Sequence, residues 1–143
     1  MKKKKDFDKK SFLERFNIQL IKSNFKTKHF LKPKLSLSWL NVDKIVNKYF
    51  GKNFVLLFPF CSPLLPHKKW PYFNELINLI KFHHANIETV VAPGSNEIEE
   101  AKKINAIIVT NNNEPLNIPE LAGLISKASY VIANDTGPAH MTA

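Results

Sequence analysis

The chain has 143 residues, 44% of them hydrophobic, with a formal net charge of +9. That content is enough for one domain with a core and argues against wholesale disorder, while the apolar runs fall far short of the roughly 18–20 residues a membrane span needs. The single cysteine, Cys61, excludes an internal disulfide and fits a reducing compartment, and the lysines after Met1 lack the apolar core and cleavage site of a signal peptide.

The charge is unevenly placed. Residues 1–52 carry fifteen Lys/Arg against four Asp/Glu, a balance of +11, whereas residues 53–143 carry six against eight, −2. A basic nucleic-acid or anionic-membrane binding module therefore rests on the first third alone. The remainder is slightly acidic, which speaks against that module as the main function.

Residues 1–10 form a lysine-rich tail without an apolar period. From Ser11 to Ile21, the apolar Phe12, Leu13, Phe16, Ile18, Leu20 and Ile21 allow an amphipathic helix. Lys22 to Leu37 is basic, interrupted by Pro33, and reads as a linker or a piece of a neighbouring domain. Asn41 is placed to cap a short helix reaching Phe50, with Val42, Ile45, Val46 and Tyr49 on one face and Gly51 as its stop.

After Asn53 the texture changes. Phe54–Phe58 is a continuous apolar run of strand length, as expected of a strand covered on both faces. A proline-bearing loop, Pro59–Pro71, leads into a helix over Tyr72–His83 with Phe73, Leu76, Ile77 and Ile80 at helical spacing. Ile87–Ala92 reads as a second strand, Pro93–Asn96 as a turn, Glu97 to about Asn105 as a helix, and Ala106–Val109 as a third strand. Asn117 is placed to cap a helix over Ile118–Lys127 with Pro119 in its first turn, and Tyr130–Ala133 is the fourth strand. Short strands alternating with helices imply a parallel sheet in an α/β fold. Ligands of such sheets bind beyond the carboxyl ends of the strands, where Pro59–Pro71, Pro93–Glu97 and Asn134–His140 meet.

Each loop offers chemistry beside a plainer alternative. Lys68 and Lys69 precede a helix and suit a phosphate, although lysines in a loop are more often solvated surface. Glu97 follows the turn at Gly94 and is placed either to accept from ribose hydroxyls or to favour a helix start. Asp135, Thr136 and Gly137 are clustered between a strand and a helix start. They offer N–H and O–H donors to a diphosphate, with Asp135 either orienting sugar hydroxyls or capping the helix. His140 lies within a turn of them and has a structural role as its alternative. No His/Cys/Asp cluster has metal-ligand spacing, and neither GxGxxG nor a P-loop occurs. His83 and His84 fit dipole compensation at a helix end, and Cys61 reads as packed within its loop.

Taken in order, Pro59-x-Cys61-Ser62, then Lys68-Lys69-Trp70-Pro71, Pro93-Gly94-Ser95-Asn96-Glu97 and Asn134-Asp135-Thr136-Gly137-Pro138-Ala139-His140 resemble glycosyltransferase family 9, the lipopolysaccharide heptosyltransferases. The resemblance covers about residues 53–143 and is to the C-terminal, donor-binding half. It implies a partial Rossmann-like half of a GT-B enzyme, with residues 1–52 as tail, linker and remnant of the acceptor domain, in a chain that looks like a fragment inactive by itself. It implies a nucleotide-activated sugar, typically ADP-heptose, transferred with inversion and without metal or cofactor to a lipid A–Kdo acceptor. The enzyme would work in the cytoplasm, with peripheral association at the inner membrane and no nucleic-acid partner. By the same resemblance Lys68 or Lys69 neutralises the leaving diphosphate, Glu97 holds the ribose, Asp135 the sugar, and Thr136 and Gly137 the phosphates, while the general base belongs to the acceptor domain. The family usually has glycine where this chain has Phe60. A GT-B transferase or epimerase using a uracil nucleotide is the remaining alternative.

Overall fold

The computed structural model describes residues 9–26, 40–50 and 53–142. Most of the lysine-rich tail, most of the expected linker and the Gly51 stop lie outside them. The chain divides into two compact units, Met1–Leu37 and Ser38–Ala143.

The first unit contains helix α1 (Phe12–Lys22). Its start is fixed by a reciprocal capping box, in which Glu14 N–H donates to Ser11 Oγ (3.3 Å) and Ser11 N–H donates to Glu14 Oε2 (2.9 Å). The Ser11 hydrogen bonds hold the Glu14 carboxyl below its ordinary pKa. No residue of α1 is buried.

The second unit runs α2 (Asp43–Tyr49), β1 (Phe54–Phe58), α3 (Phe73–His83), β2 (Glu88–Val91), α4 (Ile98–Ala101), β3 (Ile107–Ile108), α5 (Ile118–Lys127), β4 (Tyr130–Ala133) and α6 (Gly137–Thr142). The four strands form one parallel sheet in the order β3-β2-β1-β4. Every residue of β1 is buried, because α2 and α5 cover one face and α3 and α4 the other. Phe54, Leu56 and Phe58 pack with Ile45, Val46, Leu121 and Leu124. Val55 and Leu57 pack with Phe73, Ile77 and Ala101. This two-sided burial is why the strand reads as an unbroken apolar run.

The unit thus reaches back from β1 to include α2. Tyr49 Oη donates to the Thr110 carbonyl (3.1 Å), and Lys127 of α5 pairs with Asp43 (2.9 Å). That ammonium holds the Asp43 carboxyl below its ordinary pKa. Asn41 Oδ1 accepts the Asp43 N–H (2.8 Å), although Val42 is the residue at the helix boundary.

Two elements are shorter than their sequence suggests. The expected helix over Glu97–Asn105 stops at Ala101, and the strand expected over Ala106–Val109 is regular only at Ile107–Ile108. Hydrogen bonds from α3 supply the reason. Asn105 N–H donates to Asn74 Oδ1 (2.9 Å), Asn74 Nδ2 to the Lys103 carbonyl (3.1 Å) and Lys81 Nζ to the Asn105 carbonyl (2.6 Å). Backbone groups that would continue α4 are satisfied by its neighbour instead.

Candidate functional site

The strand order sets the site. From β1 the chain steps to β2 and β3 on one side, then returns so that β4 pairs with the other side of β1. The carboxyl ends of β1 and β4 therefore flank a topological switch point, where the loops on either side diverge and leave a crevice. The loop after β1 carries Lys68 and Lys69, and the turn after β4 carries Asp135, Thr136 and Gly137.

The first loop is locally folded. Leu65 N–H donates to the Ser62 carbonyl (2.9 Å), and a 3-10 turn over Pro66–Lys68 follows. Cys61 Sγ donates to the Leu65 carbonyl (3.4 Å) within the loop, yet the residue is only partly buried and lines the polar compartment described below. Its far end is anchored by Trp70, edge-on to Phe73 at 5.1 Å between ring centroids. In the second loop, Gly94 N–H donates to Glu97 Oε2 (2.8 Å), so the carboxylate folds back over its own turn. The third turn begins at Asn134, whose N–H donates to the Phe58 carbonyl (3.0 Å) and carries the β1–β4 ladder one step further.

Two compartments open here and share Glu97, Thr136 and Pro138 in their walls. One, of about 250 Å³, is largely apolar and lined further by Phe58, Phe60, Ala92, Leu116 and Leu121. Phe60 is buried and forms part of this wall. The other, of about 550 Å³, is polar and adds Ser62, Lys68, Asp135, Gly137 and His140. The structure therefore brings together every expected site residue except Lys69.

The two lysines are told apart by their partners. Lys68 Nζ reaches Asp135 Oδ2 at 2.6 Å across the polar compartment, whereas Lys69 turns away and pairs with Glu100 of α4. The Lys68 ammonium, and more weakly His140 at 3.5 Å, holds the Asp135 carboxyl below its ordinary pKa. Sequence reasoning left the lysines interchangeable, because adjacent residues carry no local mark of which way each points. It also passed over Asn134, which is 6% exposed and hydrogen-bonded to two parts of the first loop. The available signal was an amide directly after an apolar strand.

A parallel α/β sheet with a crevice at its switch point, beyond the carboxyl ends of its strands, is the architecture in which open α/β domains hold their ligands. The sequence comparison makes this specific. A profile of glycosyltransferase family 9 (heptosyltransferase) matches residues 2–143, and the chain belongs to that family. Over 72 residues it is 33% identical to the lipopolysaccharide core heptosyltransferase OpsX of Haemophilus influenzae, a stretch that is 48% of this chain and 21% of that protein. It also resembles the structure of E. coli heptosyltransferase WaaC with ADP-2-deoxy-2-fluoro heptose, with a TM-score of 0.53 and 22% identity over 64% of this chain and 29% of the other. That structural likeness and the parallel sheet give the fold as a Rossmann-like domain of the GT-B kind. The chain spans less than a third of the length of either relative.

Proposed function

We propose that this chain supplies the donor-binding part of a family 9 glycosyltransferase. In this reading it binds ADP-heptose for inverting, metal-independent transfer to the lipid A–Kdo inner core of lipopolysaccharide. The observation that carries the proposal is the pair of abutting compartments, one apolar and one polar, that share Glu97 and Thr136. A nucleotide sugar has the same division. Its base suits the apolar side, its ribose the Glu97 carboxylate between them, and its diphosphate and sugar the polar side. The names of the relatives support the donor, one being a core heptosyltransferase and the other solved with an ADP-heptose analogue.

In the proposed reaction an acceptor hydroxyl oxygen attacks the anomeric carbon. The bond from that carbon to the phosphate oxygen breaks, its electron pair leaves with ADP, and the hydroxyl proton passes to a base assigned to the acceptor domain. The negative charge developing on the diphosphate is the main demand on this side. Lys68 answers it with a full charge, and Thr136 and Gly137 with O–H and N–H donors. Lys68 must first leave Asp135. Both side chains of that pair are substantially exposed, and exposed pairs contribute only about 0–1 kcal/mol, so the exchange is inexpensive and frees Asp135 for sugar hydroxyls. His140 is placed to support that carboxylate. Lys69, held by Glu100, braces the loop against α4.

Isothermal titration of the full chain with ADP and ADP-heptose, in EDTA and again with Mg²⁺, tests this reading. Saturable ADP binding that is unchanged by EDTA and stronger than UDP binding is expected. A folded chain that binds neither ADP nor ADP-heptose overturns it.

We also propose peripheral attachment to the cytoplasmic face of the inner membrane through residues 1–52. Helix α1 exposes Phe12 at 71% and Phe16 at 50%, inside the segment of charge +11. An exposed apolar helix side within a strongly basic segment suits an anionic bilayer surface. Flotation with anionic but not zwitterionic vesicles, lost at high salt, is the expected result. Retention on nucleic acid with no flotation favours the basic binding-module alternative instead.

A further inference from the structure

Asn134 and Thr89 are the buried polar side chains among the described residues, and Asn134 sits at the switch point between β4 and the site. Its carboxamide makes two hydrogen bonds of opposite sense. Nδ2–H donates to the Pro59 carbonyl at 2.8 Å, and Oδ1 accepts the Trp70 N–H at 3.1 Å. Pro59 opens the first loop and Trp70 nearly closes it, so one amide joins the two ends of the segment that carries Lys68. The next residue, Asp135, receives the Lys68 ammonium at 2.6 Å. A donor and an acceptor on one short planar group are what these two partners need. Alanine leaves a buried carbonyl and a partly buried N–H unpaired, which is costly, and aspartate sets a carboxylate oxygen against the Pro59 carbonyl.

We infer that Asn134 is a positioning residue of the donor site: its carboxamide clasps the neck of the Pro59–Trp70 loop and thereby holds Lys68 over Asp135 in the polar compartment. Its weight for ligand binding rests on the donor-site reading, whereas its hold on Lys68 is testable without any ligand.

The experiment follows the Asp135 carboxyl by carbon-detected NMR titration in the ligand-free full chain and then titrates the same proteins with ADP. In the wild type the Asp135 midpoint lies below the ordinary carboxylate range, because Lys68 faces it from the first loop and His140 from α6. Asn134→Ala is expected to move the midpoint up into that range and to weaken ADP binding about tenfold, the scale of one charge-assisted contact. Lys68→Met alone gives the same upward shift, and adding it to Asn134→Ala gives no further shift. Asn134→Ser, whose hydroxyl serves one partner at a time, falls between and stands in if the alanine variant does not fold. A purely structural role predicts a lower melting temperature with the Asp135 midpoint unmoved, and that result overturns the inference. Should the midpoint move as expected while the wild type ignores ADP, the clasp stands and the donor reading falls.

Discussion

A methyl group built on Gly123 of α5 would lie 2.3 Å from the Leu40 carbonyl oxygen and 3.0 Å from Val42 Cγ1, whereas one built on Gly137 would meet nothing within 4 Å. The first glycine sits where the chain entering α2 crosses α5 at backbone contact. The second lines the polar compartment at the carboxyl edge. At Gly123 the small residue is required by the protein's own packing. At Gly137 the fold makes no such demand, so the space before it is available to a ligand. The two regions separate residues that hold the sheet from residues that face outward from it.

That separation is testable in both directions. The largest effect belongs to the packing side: Leu57→Ala empties a fully buried position of the central strand and is expected to cost about 2–5 kcal/mol in urea unfolding. Gly123→Ala forces Leu40 away and is expected to cost about 1–3 kcal/mol, with the folded fraction retaining its ADP affinity. Gly137→Ala should behave oppositely. Alanine in place of a helical glycine is neutral or stabilising by up to about 1 kcal/mol, yet the methyl group enters the polar compartment proposed to take the diphosphate, so calorimetry is expected to show ADP affinity down about tenfold. An unchanged affinity breaks the comparison.

The lysines extend the same contrast within one loop. Lys68→Met is expected to weaken ADP binding about tenfold, or about 1.4 kcal/mol. Lys69→Met removes an exposed pair and is expected to cost at most about 1 kcal/mol of stability, with smaller loss of affinity.

The smallest effect is in pH, where each region holds one aspartate whose folded pKa is depressed by a lysine, Asp43 by Lys127 and Asp135 by Lys68. A depressed folded value means that each pair stabilises the fold above the unfolded carboxylate pKa of about 3.9. That contribution is lost as pH falls through the lower folded value. ADP should raise the Asp135 midpoint, by drawing Lys68 away and adding negative charge nearby, and leave that of Asp43 in place. NMR titration of the two carboxyls with and without ADP reads the difference directly.

Several features were legible because their causes are local. The apolar run Phe54–Phe58 announced a strand buried on both faces, and Asn117 with Pro119 announced the start of α5, where Asn117 and Glu120 form a reciprocal capping box. Ser11 and Glu14 have the same spacing and form the same box at α1. Yet α5 buries Ala122, Gly123 and Leu124 while α1 buries nothing. Caps and periodicity fix that a helix forms, not what it packs against.

By itself the sequence determined the alternation of strands and helices, the parallel sheet, and the three loops at its carboxyl edge. Each follows from the period of apolar residues and from turn chemistry within a few positions. Only the tertiary structure decided that β4 lies beside β1, that α4 gives up its last turn to Asn74 and Lys81, and that Lys68 faces Asp135 while Lys69 faces Glu100. It also gave Asn134 its two partners in a loop more than sixty positions away. These outcomes depend on which backbone groups meet across the sheet edge, and no periodicity along the chain encodes such a meeting.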